Sequence, residues 1–304
     1  MRYKILMSKS EHITKGAFLM ALASTFFCMT ACLVKYGSYI GVYRMAFFRF
    51  VIGLGLIAIA VMLGRVKLVF NNKRLLFLRG LTGGIAILIG LVSITKLGLG
   101  KGMVLICSYP IYASLISAVF LKERLRLFDI GAILTAVAGI YFIAYEKQQG
   151  FSLLVFGRYE LLAVIGAMIA GIAVSLIRKL HDTDDSLAIY FAQCAVGMWL
   201  VLGPSLRSEG PVGLNGIFIL LGIGVTVTVG QLLMTEGFKY VPVKTGSLLL
   251  MLEPVLCYVA GVAIFREDLT LSSMFGSVLV IGSCVAVLAG RKKKALSVKS
   301  NLSV

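Results

Sequence analysis

Charge is scarce in this sequence. Of 304 residues only 14% are charged and only 13 are acidic. No stretch is long and polar enough to make a separate soluble domain. With 59% hydrophobic residues and a mean hydropathy of +0.98, a soluble core of this size cannot hide the apolar surface, so the bilayer is the solvent for most of the chain. Histidine is nearly missing. His12 and His181 are the only two, both at polar edges, so the six cysteines (Cys28, Cys32, Cys107, Cys194, Cys257 and Cys284) have no zinc-type spacing with them. All six lie in apolar runs and read as small buried side chains, Cys28 and Cys32 on one helix face. Acidic clusters are missing too, except for His181, Asp182, Asp184 and Asp185. Holding magnesium and a diphosphate takes two such clusters, so this one reads as a solvated loop. There is no Ser-His-Asp set, no paired catalytic carboxylates and no His-Glu-x-x-His signature. The glycine runs have no preceding strand and no following Lys-Ser/Thr, which excludes a phosphate loop. No catalytic residue, metal or cofactor is expected. Charges reach as far as Lys15 and the apolar run after it is about 20 residues, too long for a secretory h-region.

What is abundant is long apolar runs and positive charge at their ends. The net charge is +17, but the cations sit at span ends rather than along one polar face, which excludes nucleic acid as a partner. Ten spans are read, at roughly 17–37, 42–64, 75–97, 101–121, 128–146, 158–178, 187–206, 213–236, 243–265 and 272–290. Each gives about 30 Å of helix, the thickness of the hydrocarbon layer. With both termini cytoplasmic, 21 of the 30 Lys and Arg fall inside, so that orientation is expected. The tail Arg291, Lys292, Lys293, Lys294 then faces anionic lipid.

The sequence also repeats. A shift of 144 residues lays Lys35 on Lys179, Gly53 on Gly197, Gly80 on Gly224, Gly102 on Gly246, Pro110 on Pro254, Glu123 on Glu267 and Leu125 on Leu269. Each half holds five spans, an odd number, so the second half must cross the membrane in the opposite sense. The expected fold is an all-α integral membrane protein, with ten transmembrane helices as two inverted five-helix repeats. The repeats are 16–147 and 157–290, followed by a basic cytoplasmic tail, 291–304.

Glu253-Pro254 is the sharpest local signal. Glu253 lies about 15 Å into the ninth span, near the midplane, where a charge costs roughly 2.5–3.5 kcal/mol. Pro254, like Pro110 in the fourth span, removes a backbone donor and kinks the helix. Two readings stand: Glu253 contacts substrate or titrates, or it is a structural carboxylate tied to a neighbour. Arg49, about 10 Å into the second span, either binds a carboxylate, pairs with Glu253, or caps a broken helix end. Its repeat mate is Gln193, and Tyr109 is the mate of Glu253. Tyr109, Tyr112 and Tyr258 near the kinks either line a cavity or pack. Lys35, Lys179, Arg79 and Lys96 read as interfacial anchors, and Arg44 as a snorkelling side chain. Glu123 and Glu267 read as structural loop carboxylates that cap the following helix or pair with a nearby cation.

Arg49, Gly102, Pro110, Glu123 and Leu125, then Gly246, Leu252-Glu253-Pro254-Val255, Glu267 and Leu269, resemble in order and spacing the drug/metabolite transporter superfamily, specifically its EamA-type members. The resemblance spans about 16–290. It implies an inner-membrane carrier working by alternating access, with a central cavity lined by spans one to four and six to nine. The expected substrate-binding residues are Glu253, Arg49, Tyr109, Gln193, Tyr112 and Tyr258. The expected activity is secondary transport of a small polar or amphipathic metabolite, amino acid, nucleoside- or vitamin-like. The alternative is a membrane enzyme acting on a lipid or isoprenoid. Expected partners are a small-molecule metabolite and membrane lipid, with a homodimer left open.

Overall fold

In lipid every backbone amide and carbonyl must find its partner within the protein, and helices achieve this within one segment. The computed structural model describes residues 2–64, 68–123, 126–145, 157–207, 212–266 and 270–300, which form helices joined by short turns, with no strand among them. In chain order the helices are α1 (Arg2–Tyr36), α2 (Val42–Met62), α3 (Lys73–Ile106), α4 (Tyr109–Phe120), α5 (Leu127–Tyr145), α6 (Arg158–Leu180), α7 (Ser186–Leu206), α8 (Leu214–Tyr240), α9 (Val243–Leu250), α10 (Leu252–Phe265) and α11 (Leu271–Ser300). Seven segments are long and apolar enough to cross a membrane: Ile13–Tyr36, Val42–Met62, Lys73–Ser93, Arg158–Leu180, Ser186–Leu206, Leu214–Tyr240 and Val243–Phe265. Tyr109–Phe120, Leu127–Phe142 and Met274–Val287 are apolar but shorter.

The helix breaks follow proline chemistry. Pro110 and Pro254 have no N–H for the carbonyls of Ile106 and Leu250, and α3 and α9 end on those two residues. The expected boundary between the third and fourth spans, at 98–100, lies instead inside α3. That helix is not a straight rod. Ile106 Cδ1 comes within 3.7 Å of the Cβ position of Gly90, whereas a straight helix would hold these residues about 24 Å apart. The chain therefore turns back between them. In the second half the matching turn is an open break at Val241-Pro242, because Pro242 stands where the first half has Gly98.

The repeat is visible in the packing. α1 lies along α8 as α6 lies along α3, and α2 meets α7 while α5 meets α11. The close crossings match residue by residue. A Cβ on Gly80 would stand 2.8 Å from Val196 Cγ2, and one on Gly224 would stand 2.5 Å from Ile52 Cδ1, the repeat-equivalent pair. Only glycine admits so close an approach. Lys122 and Arg266, also repeat mates, both have φ 53° at the ends of α4 and α10. Two non-glycine residues in the same costly left-handed conformation mark the same tight exit in each half.

Candidate functional site

The break before α10 places Glu253 in that helix's first turn, where free amides and the helix dipole favour a carboxylate. Arg49 projects from α2 beside its neighbour Phe50, its guanidinium 5.4 Å from the ring. Both side chains are half-buried. Glu253 acts electrostatically on Arg49, and Arg49 also feels Tyr190 and Cys194 on α7. Neither charge makes a hydrogen bond or ion pair to a described residue. A carboxylate from one half and a guanidinium from the other thus share one neighbourhood without closing on each other. Tyr109, half-buried at the start of α4, lies within the same field of Glu253. Tyr112, on the same helix, packs its Cβ against Gly171 of α6.

The other two expected residues are engaged within the protein. Gln193 is 2% exposed, and its Oε1 accepts a 2.8 Å hydrogen bond from Arg79 Nη2. Tyr258 is buried, and its hydroxyl accepts from the Thr270 N–H at 3.1 Å, tying α10 to the start of α11. Arg79 corrects the interfacial-anchor expectation: it is 3% exposed, between α3 and α7, and its Nε and Nη1 have no hydrogen-bond partner among the described residues. Its repeat mate, the apolar Ile223, was the available signal, because an interfacial anchor would recur in both halves as Lys35 and Lys179 do.

A second polar group joins the halves where α5 and α9 begin. Glu123 was expected to cap the helix after it or pair with a cation. Instead its Oε1 accepts from the Val243 N–H at 3.2 Å, capping α9 of the other half. The cap of α5 is Asp129, whose Oδ2 accepts from the Arg126 N–H at 3.3 Å. Asp129 also pairs with Lys244, each 8% exposed. The sequence reading missed this pair, since 115 residues separate its members. Glu267 lies outside the described residues.

The acidic cluster is not a solvated loop throughout. Asp184 is 6% exposed and accepts from the N–H groups of Asn71 at 2.8 Å and Asn72 at 3.2 Å, just before α3. His181 Nε2 lies 2.7 Å from the Thr235 carbonyl, so that nitrogen carries the proton. Burial pushes the His181 imidazole below its ordinary 6.5, against the raising effect of the Thr235 carbonyl. Folding therefore favours the neutral ring. The stabilisation is complete above 6.5 and is lost as pH falls through the lower folded-state value. Melting temperatures measured at about pH 7.5 and about pH 5.5 are expected to fall further in the wild type than in His181→Gln.

Buried charges from two packed halves inside apolar helices define a multi-pass membrane protein that holds polar groups at depth, as transporters do. The chain belongs to the EamA-like transporter family, whose model matches it twice, over residues 14–145 and 157–289. It is 26% identical over 283 residues to the pseudopaline exporter CntI of Pseudomonas aeruginosa, covering 92% of this chain and 98% of that one. It is 27% identical over 277 residues to an uncharacterized transporter of Archaeoglobus fulgidus, covering 88% and 96%. Solute carrier family 35 member G1 of Mus musculus is 23% identical over 287 residues, covering 88% and 76%. A solved structure titled only as the crystal structure of a protein superposes with a TM-score of 0.77 at 18% identity, over 92% of this chain and 98% of its own, which is a likeness of fold. The named relatives are transporters, and this protein is a membrane transporter of the same type.

Proposed function

We propose that the protein is a secondary transporter that carries a small polar or amphipathic metabolite across the inner membrane by alternating access. The chain crosses ten times, as inverted repeats 16–147 and 157–290, with both termini and the basic tail 291–304 on the cytoplasmic side. The observation that carries this reading is the pair Arg49 and Glu253. They come from different halves, lie deep in the bundle, stay half-buried and form no bond with each other. Charges in hydrocarbon persist where they face a cavity or a ligand, and residues contributed by both halves can be exposed to either side as the halves rock. A substrate with both an anionic and a cationic part matches them. The exporter among the relatives favours outward movement of a metabolite.

The test has two stages. A metabolite panel is screened by thermal shift on the purified protein, since a binder stabilises the folded state by RT ln(1 + [L]/Kd). The strongest binder is then assayed for exchange in vesicles. Saturable counterflow is the expected result. Flux that rises linearly with concentration marks a passive channel and overturns the proposal.

A further inference from the structure

A guanidinium has five donors and no acceptor, and it keeps its charge in proteins. Arg79 satisfies one nitrogen through Gln193. Its Nε and Nη1 are buried with no hydrogen-bond partner among the described residues. No carboxylate compensates it: of the described titratable groups only the Cys194 thiol acts on it electrostatically. Donors left unpaired in an apolar interior are costly. Such a group persists when some state of the protein supplies its acceptor.

Its position says what that acceptor serves. Cys194 on α7 follows Gln193, the partner of Arg79, and its Sγ lies 3.0 Å from the Cβ position of Gly53, about one turn beyond Arg49 on α2; both arginines act electrostatically on its thiol. Arg49 is in turn within the field of Glu253. The run Arg79, Cys194, Arg49, Glu253 joins the buried arginine to the proposed transport site. Around it α3 and α7 cross at glycine: a Cβ on Gly84 would stand 3.1 Å from Gly197 Cα. Small residues bring the two backbones close there, so a displacement of α7 relative to α3 would uncover the guanidinium.

We propose that Arg79 is a substrate-binding residue that takes a carboxylate group of the transported metabolite, covered by Gln193 and α7 in the arrangement described above. This rests on the transport reading. Charge decides the class of group. Arg49 and Arg79 against Glu253 leave one positive charge in excess, which a single carboxylate neutralises and a dianionic phosphate exceeds.

The test uses the full chain purified in detergent, with acetate, succinate and glutamate as probes and chloride and inorganic phosphate as further arms at constant ionic strength. At least one carboxylate is expected to raise the melting temperature of the wild type, and chloride is not. In Arg79→Met the concentration for half-maximal shift rises by about tenfold or more, as for loss of one charge-assisted hydrogen bond. Without probe, Arg79→Met melts close to the wild-type temperature, because removing an uncompensated charge offsets the Gln193 oxygen left without its donor. Arg79→Lys keeps the charge and retains part of the shift. A wild type unmoved by every carboxylate, a shift that survives Arg79→Met, or a probe-free melting temperature that falls in both variants overturns the proposal. An Arg79-dependent shift with phosphate or chloride alone overturns the carboxylate assignment. Absence of counterflow in wild-type vesicles sinks the transport reading itself. Counterflow unaltered by Arg79→Met removes only this inference.

Discussion

Glu253→Gln is expected to flatten the pH profile of transport and to weaken the apparent affinity for substrate by about ten- to a hundredfold, the range set by losing a hydrogen bond to a charged group. Glutamine keeps the shape and the first-turn position in α10 but cannot ionise. Any dependence of flux on proton concentration that passes through this carboxylate must therefore vanish. The competing account is that Glu253 merely complements the α10 dipole. That role is worth about 0.3–1 kcal/mol at an exposed helix end and would show as a small fall in melting temperature with an unchanged pH profile. Initial rates in vesicles across a pH series separate the two. A parallel curve for the variant, lowered or not, would demote Glu253 to a structural carboxylate. Arg49 makes no hydrogen bond or ion pair with Glu253 among the described residues, so the variant breaks no bonded pair.

Asp129→Ala is expected to be among the most destabilising single changes in the chain, costing about 3–5 kcal/mol, the range for breaking a buried ion pair by removing one of its members, here the carboxylate paired with Lys244. Both side chains are 8% exposed, so water cannot replace the lost carboxylate. The same substitution removes the acceptor for the Arg126 N–H at the start of α5. In Asp129→Leu with Lys244→Met most of the stability is expected to return, since an apolar pair of similar volume avoids the desolvation of both ions. Unfolding of the two variants beside the wild type measures the difference. A mild Asp129→Ala, or a double variant no better than the single one, contradicts this account. The pair matters for function because it sits beside the Glu123 cap on α9, where the end of one half grips a helix of the other.

Much of the scaffold was legible in the sequence, for a reason that can be named. Apolar runs report burial in lipid without knowledge of any neighbour. Pro110 and Pro254 act on their own backbone, so α3 and α9 stop where each proline removes a donor. Gly80 and Gly224 recur at one spacing because each half makes the same crossing, against Val196 and Ile52. The turn expected at 98–100 falls inside α3, whose helical run continues unbroken to Ile106, because glycine permits a turn without forcing a break in the helix. Pro242 does force one.

The polar residues divide differently. That a midplane carboxylate and a buried arginine must face something other than lipid follows from the cost of their charge. Which partner each takes does not. Gln193 meets Arg79, Tyr258 meets Thr270, Glu123 meets Val243, and Asp184 meets Asn71 and Asn72. Except for Tyr258, these pairings join residues more than one hundred positions apart. Periodicity and hydropathy are local, and they set how each segment meets the bilayer. Hydrogen bonds between helices depend on how the two halves pack, and only the tertiary structure decided that Arg79 lies inside the bundle with two nitrogens unpaired among the described residues.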